Sequence, residues 1–241
     1  MSAAARPGWF RDTAGLYARV FRRAAWLALR NWPVALVLFG FGMLRDVLDG
    51  LIARLGGGPL SLAGGFLSYL VLVAFMSSWL FLVAEVIRTG RIQPRDWVAG
   101  LGAYFGDLLT VLFLFWIIVF VAQVLFLTAP LLGIVLGLAL LTFGNAVPEL
   151  VYLGRHPPAA ILVESYRFIG ENWIEWFPAN ILLACCVYGL GRLAFEVFPS
   201  LLVPELVSSL ALYFAMIARG LLFQELATSS RRARAFRRAA E

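Results

Sequence analysis

Three glutamates stand near the ends of long apolar segments, and each precedes an arginine by six residues. The pairs are Glu85 with Arg91, Glu149 with Arg155, and Glu225 with Arg231. A carboxylate at the C-terminal end of a helix is opposed by the helix dipole, so each of these glutamates needs a compensating partner. Nearby arginines, including Arg219, or the start of another helix would make the glutamates a structural collar. An ion or a lipid headgroup as the partner would make them a binding site.

Two pairs of opposite charge lie four residues apart within apolar segments. They are Arg45 with Asp49 and Arg192 with Glu196. Residues four apart share a helix face, so each pair can close within its own helix. Two interpretations follow: ordinary helix ends that reach the far interface, or a facing polar cluster that forms an outer vestibule.

Uncharged polar residues mark the third and fourth apolar segments. Gln123 lies in the third, and Asn145 and Pro148 lie in the fourth. A proline inside a helix frees a backbone carbonyl and kinks the helix. These residues could line a polar path across the membrane, or a neighbouring helix could satisfy the freed groups.

Side chains suited to catalysis or metal binding are scarce. The single histidine, His156, lies in a proline-rich turn, and no His, Cys and carboxylate cluster has the spacing of a metal site. Cys185 and Cys186 are adjacent and point in different directions on a helix, so we expect no structural disulfide. No glycine-rich phosphate loop follows a strand. We therefore expect a protein without cofactors or catalytic activity.

The composition of the 241 residues places these side chains in a membrane. Hydrophobic residues make up 62% and charged residues 14%, with a mean hydropathy of +0.87. Soluble proteins average about half apolar and about a quarter charged residues. A membrane-spanning helix needs about 20 residues, and the chain contains about six apolar segments of roughly that length. This predicts an all-α fold of about six spans. The expected spans are residues 33–55, 62–87, 108–128, 131–153, 176–198 and 205–227.

The basic residues are all arginines, and most lie in the N-terminal segment, two middle loops and the C-terminal tail. Cytoplasmic loops are enriched in such residues, so both termini are predicted to be cytoplasmic. Residues 1–31 then form an amphipathic interfacial segment, 32–228 the transmembrane domain and 229–241 a basic tail. This pattern favours a multi-pass protein of a bacterial inner membrane. Its basic face is expected to contact anionic lipid headgroups rather than nucleic acid.

A shift of 64 positions superposes polar and turn residues of one part of the chain on those of another. Among the superposed pairs are Glu85 with Glu149, Gly90 with Gly154, Pro94 with Pro158, and Asp107 with Glu171. We interpret the chain as three units, each an amphipathic elbow helix on the cytoplasmic surface followed by a helical hairpin. The elbows are expected within residues 9–30, 94–106 and 159–172. Similar caps on unrelated hairpins are the alternative explanation.

At Pro148-Glu149, Gly154, Pro158, Ala160 and Ser165, the chain resembles a group of poorly characterised bacterial polytopic membrane proteins. The group includes the membrane domain found fused to glycerophosphodiester phosphodiesterases. The resemblance is sharpest over residues 148–173, and it implies an elbow-and-hairpin bundle that faces the cytoplasm. It implies no phosphodiesterase activity, because we find no such domain in these residues.

The predicted function is that of a noncatalytic membrane component, a structural, assembly or lipid-contacting subunit of a larger complex. A membrane-protein partner or a second copy of the chain is expected beside the lipids. The alternative is a small transporter or channel subunit whose polar path uses the outer charges and the amides. Those residues are Arg45, Asp49, Gln123, Asn145 and Arg192.

Overall fold

The computed structural model describes residues 9–54, 58–154, 156–198, 200 and 202–228, and within these ranges every regular element is an α-helix. The helices are α1 (Trp9–Arg30), α2 (Pro33–Arg54), α3 (Pro59–Thr89), α4 (Pro94–Ala103), α5 (Phe105–Thr128), α6 (Pro130–Phe143), α7 (Val147–Tyr152), α8 (Pro158–Val197) and α9 (Leu202–Ala227). The prediction of an all-α fold is therefore confirmed for the described residues. The predicted tail at 229–241 lies outside them.

Prolines set where most of these helices begin. Proline is tolerated in the first turn of a helix because the backbone N–H that it lacks would have no partner within the helix there. Its fixed φ also suits a helix start. The helices α2, α3, α4, α6 and α8 begin at Pro33, Pro59, Pro94, Pro130 and Pro158. At the other end of α3, Gly90 adopts a left-handed conformation with a φ of 74° and ends the helix.

Four helices are long and apolar enough to cross a membrane: α3, α5, α8 and α9. The helix α2 is also 22 residues long, but Arg45, Asp46 and Asp49 interrupt its second half. The helix α6 is apolar throughout and has only 14 residues. By length and composition, the described residues thus contain four helices that fit a membrane protein.

The helix α9 lies at the centre of the bundle and contacts α1, α2, α3, α7 and α8. Its apolar stretch is 56% buried, whereas that of α5 is 11% buried. Phe113, Trp116 and Phe120 stand exposed on α5, with stacked rings 6.1 and 5.9 Å apart between centroids. The outer side of α5 is therefore an extended apolar surface, and its exposure to water would be unfavourable.

Two predicted elements differ in the structure. The fourth predicted span is broken at residues 144–146 into α6 and α7. The predicted elbow at 159–172 and the fifth span form one continuous helix, α8. Asn31-Trp32-Pro33 separates α1 from α2, because a proline cannot continue the preceding helix. Within α8, Ile174 follows Asn172-Trp173, so no proline ends the helix there.

Gly133 and Gly137 of α6 provide a matched test of how closely α5 and α6 pack. A methyl group at Gly133 would lie within 2.8 Å of backbone atoms of Phe126 and Ala122, whereas one at Gly137 would meet open space. We expect Gly133→Ala to destabilise the fold by about 1 to 3 kcal/mol through this overlap. Gly137→Ala should leave stability unchanged or raise it by up to about 1 kcal/mol, because alanine is the better helix former. Thermal unfolding in detergent measures the stability of both variants. Equal effects would contradict close packing of α5 against Gly133.

Candidate functional site

The break between α6 and α7 creates the most polar place inside the bundle. Residues 144–146 leave the helical hydrogen-bond pattern, so carbonyl groups of the preceding turn need other donors. The Ser165 hydroxyl of α8 donates to the carbonyl of Phe143. The Arg219 guanidinium of α9 donates to the carbonyl of Asn145 at 2.6 Å. Side chains from two other helices therefore satisfy the broken backbone.

Arg219 also forms a bidentate ion pair with Glu149 of α7. Its Nε lies 2.7 Å from Oε1 and its Nη2 lies 2.9 Å from Oε2. The Glu149 side chain is 0% exposed and that of Arg219 is 17% exposed. Two charges this deep in apolar protein are stable only when they pair closely and their remaining polar atoms are bonded. The pair therefore holds α7 against α9.

Glu149 occupies a different position from the one expected. The sequence placed it at the C-terminal end of a span, where the dipole opposes a carboxylate. Because of the break, it lies in the first turn of α7, directly after Pro148. A carboxylate in the first turn of a helix is favoured by the dipole. The start of α7 and Arg219 therefore both place positive charge beside this carboxylate.

Trp176 of α8 encloses this ion pair. Its indole N–H donates to the side-chain carbonyl of Asn145 at 2.8 Å, and the Arg219 guanidinium lies 5.3 Å from the centre of its ring. The ring packs edge-on against Phe168, and Phe223 lies beside both rings. A buried indole needs an acceptor, and a cation over its face gains further electrostatic attraction. This set joins α7, α8, α9 and the break that follows α6 around one charged centre.

A second group of polar contacts fixes the other side of α7. Arg88 of α3 and the hydroxyl of Tyr104 both donate to the carbonyl of Tyr152, at 2.9 and 3.2 Å. Burial raises the pKa of Tyr104, which keeps its hydroxyl protonated as a donor. The hydroxyl of Tyr152 in turn donates to the carbonyl of Met216 at 3.3 Å. Gly220 allows this approach, since a methyl group there would overlap Tyr152 and Ile87.

The other predicted site residues lie apart from this centre. Glu85 is half-buried near the end of α3, and Glu225 is exposed near the end of α9. Arg45 pairs with Asp49 at 3.5 Å and Arg192 pairs with Glu196 at 3.0 Å, each within its own helix. These two pairs are exposed helix-surface contacts rather than parts of the buried centre.

Gln123 and Asn145 line one groove of about 680 Å³ between α5 and α6. The rest of its lining is apolar or glycine, and it ends at the helix break. Asn145 therefore connects the groove to the ion pair, because its carbonyl and its side chain both belong to the charged centre. Gln123 is exposed on α5 and is the groove's other polar side chain.

Sequence reasoning missed the roles of Trp176, Ser165 and Tyr152. The sequence predicts Trp176 only as the start of a span and indicates Ser165 only through a family resemblance. One signal was available: an indole or a hydroxyl within an apolar helix needs a partner, and Asn145 offers one. In the described part of the chain, no group of three or more His, Cys, Asp or Glu side chains is placed to hold a metal ion.

The exposed pair of Arg192 and Glu196 provides a control for the buried pair. We expect Glu149→Gln to destabilise the fold by about 3 to 5 kcal/mol, because it leaves Arg219 buried without a counter-charge. Glu196→Gln makes the same chemical change at a side chain that is 61% exposed, where a pair contributes at most about 1 kcal/mol. Thermal unfolding in detergent measures both variants.

The double variant Glu149→Gln, Arg219→Gln removes both buried charges. We expect it to recover part of the lost stability, because neither amide is a bare charge. Equal melting temperatures for Glu149→Gln and Glu196→Gln would contradict a structural role for the buried pair.

Comparisons with protein-family models, curated proteins and solved structures find no match. What the chain does is therefore inferred from its own geometry. That geometry is a charged centre closed by protein groups, surrounded by helices with broad apolar outer surfaces.

Proposed function

We propose that this chain is a noncatalytic integral component of a bacterial inner membrane, a structural, assembly or lipid-contacting subunit. The observation that carries the proposal is the closed ion pair. Both oxygens of Glu149 are bonded by Arg219, whose guanidinium also bonds the Asn145 carbonyl. A carboxylate held in this way has no oxygen turned toward a substrate. Its role is to join helices.

The outer surface of α5 supports a partner within the bilayer. Its three exposed aromatic rings form a stacked row at helical spacing. Stacking orders these side chains before any partner arrives, which lowers the entropy that association costs. Helices in lipid associate through packing of this kind rather than through the hydrophobic effect.

The finer architecture that we propose has six spans, in three units that each combine an elbow with a hairpin. The helix α2 and the broken α6 with α7 are the additional spans. Positions 64 residues apart support the repeat: Arg88 donates to the carbonyl of Tyr152, and Tyr152 donates to the carbonyl of Met216. At 40 residues, α8 is about 60 Å long, roughly twice the hydrocarbon thickness. Its N-terminal part, residues 159–172, then serves as the third elbow.

Cysteine labelling tests this topology. In a background with Cys185 and Cys186 replaced by alanine, Ser200→Cys should react with an impermeant maleimide added outside. Gln93→Cys and His156→Cys should react only after permeabilisation, because their loops carry the arginines that mark the cytoplasmic side. Each of these residues is exposed, so labelling reports the side of the membrane. External labelling at position 93 would contradict the six-span arrangement.

Association through α5 is the test of the subunit role. The variant Trp116→Ala, Phe120→Ala should lose the complex that the wild type forms in native-membrane nanodiscs, with its melting temperature unchanged. The variant Phe66→Ala, Leu67→Ala of α3 removes side chains that are similarly exposed and should keep the complex. Mass photometry measures the size of each particle. A wild-type chain that is always monomeric would contradict the proposal.

A transporter or channel subunit is the second candidate, and the groove at the helix break is the observation that favours it. Broken helices often form the binding sites of transporters, and Gln123 and Asn145 line the groove beside this one. A flux of ions or protons into proteoliposomes that Gln123→Ala abolishes would support this function instead. Gln123 is exposed, so its substitution should leave the fold intact.

A further inference from the structure

A second groove, of about 1030 Å³, lies between α1 and the C-terminal end of α9. A groove of this size holds a ligand of at least several hundred daltons. It lies at the end of a helix that is long and apolar enough to span the membrane, which places it at the level of the lipid headgroups. The lining residues that matter here are Arg19, Arg22, Arg23, Trp26, Leu221 and Glu225.

The groove is preformed, because α1 is firmly docked. Leu16, Val20, Ala24 and Leu27 of α1 are buried in the core. At the end of α1, the side chain of Asn31 donates to the carbonyl of Gly90 at 3.2 Å. The hydroxyl of Tyr213 donates to the Asn31 carbonyl at 3.1 Å. Earlier in the helix, Tyr17 donates to the carbonyl of Glu175 at 2.6 Å. A ligand in the groove therefore meets a wall that needs little ordering.

The charge of this groove selects an anion. Arg19, Arg22 and Arg23 lie along one wall and are exposed, and Glu225 is the single carboxylate in the lining. The lining therefore carries an excess of positive charge. Guanidinium groups bind phosphate through paired, charge-assisted hydrogen bonds, and they keep their charge at any physiological pH.

The rest of the lining is mostly apolar, with Gln224 and Thr228 as its uncharged polar residues, and it favours a lipid over a soluble anion. Val20, Leu221 and Phe223 line the groove as buried apolar side chains. Trp26 also lines it and is 54% exposed, which suits the headgroup layer, where an indole has both a polar and an apolar neighbour. Phosphate alone would gain nothing from such a surface. A molecule with a phosphate next to acyl chains would use both parts.

We propose that this groove binds one anionic glycerophospholipid, with its phosphate at Arg19, Arg22 and Arg23 and its acyl chains beside Leu221 and Phe223. The site deepens the lipid-contacting role and rests on that proposed function. It makes the lipid a specific ligand of α1 and α9, which extends the general attraction of basic loops to anionic membranes.

Native mass spectrometry of the delipidated full chain, titrated with phosphatidylglycerol or phosphatidylcholine, tests this site. The wild type should retain one phosphatidylglycerol, and phosphatidylcholine should bind far more weakly. A basic residue near anionic lipid contributes about fivefold in affinity, so Arg22→Gln, Arg23→Gln should weaken binding by about 25-fold. The control Arg91→Gln, Arg95→Gln removes two exposed arginines outside the groove lining and should change affinity by less than about threefold.

Glu225→Gln gives a change of the opposite sign. It removes the carboxylate from the groove and should strengthen phosphatidylglycerol binding by about fivefold. Equal losses in the two double arginine variants would overturn the proposal, as would unchanged binding in all three variants. Glycerol 3-phosphate that binds as tightly as the lipid would show that the apolar surface is not used, which also overturns it. These results do not depend on the particle size of the α5 variants, so the two proposals can fail separately.

Discussion

An arginine in an apolar bundle is tolerable only beside a carboxylate, and Glu149 provides that carboxylate for Arg219. The pair sets how α9 lies along α7, because two nitrogens of the guanidinium, Nε and Nη2, must meet the two carboxylate oxygens. Gly220 follows Arg219 directly, and its lack of a side chain lets Tyr152 and Ile87 approach α9. Helix α8 joins the same arrangement through Trp176. Three helices, α7, α8 and α9, are thus positioned around one charged contact.

The polar groups around the helix break bond within the bundle, whereas the arginines of the groove at α1 remain accessible. Around the helix break, the Ser165 hydroxyl, the Trp176 indole and the Arg219 guanidinium all bond to α6 or α7 or to the residues between them. The arginines of α1 that line the groove are instead exposed. Polar groups inside the bundle need hydrogen-bond partners from the protein because lipid chains offer none. Polar groups in the headgroup layer can instead bind water or a ligand. The proposed lipid site follows from that difference.

Local residues were enough to predict most of the helices. Proline at a first turn and glycine in a left-handed cap act within a few residues, so Pro33, Pro59, Pro94 and Gly90 mark boundaries wherever the chain lies. The apolar runs likewise predict helices in a membrane by their length alone. The break at residues 144–146 was less accessible. Proline at 148 indicated a kink but could not say that a new helix would begin just before it.

The sequence by itself determined that charges lie inside apolar segments and that each needs a partner. Burying an unpaired charge is costly, whichever part of the chain supplies the partner. It singled out Glu149 and Arg219 for this reason, and Asn145 as a polar residue near a proline kink. Only the tertiary structure decided which residues pair with each other. Arg219 lies 70 residues from Glu149, and Ser165 lies 22 residues from the carbonyl it satisfies. Such contacts depend on how helices pack in three dimensions, which no local pattern of residue types encodes.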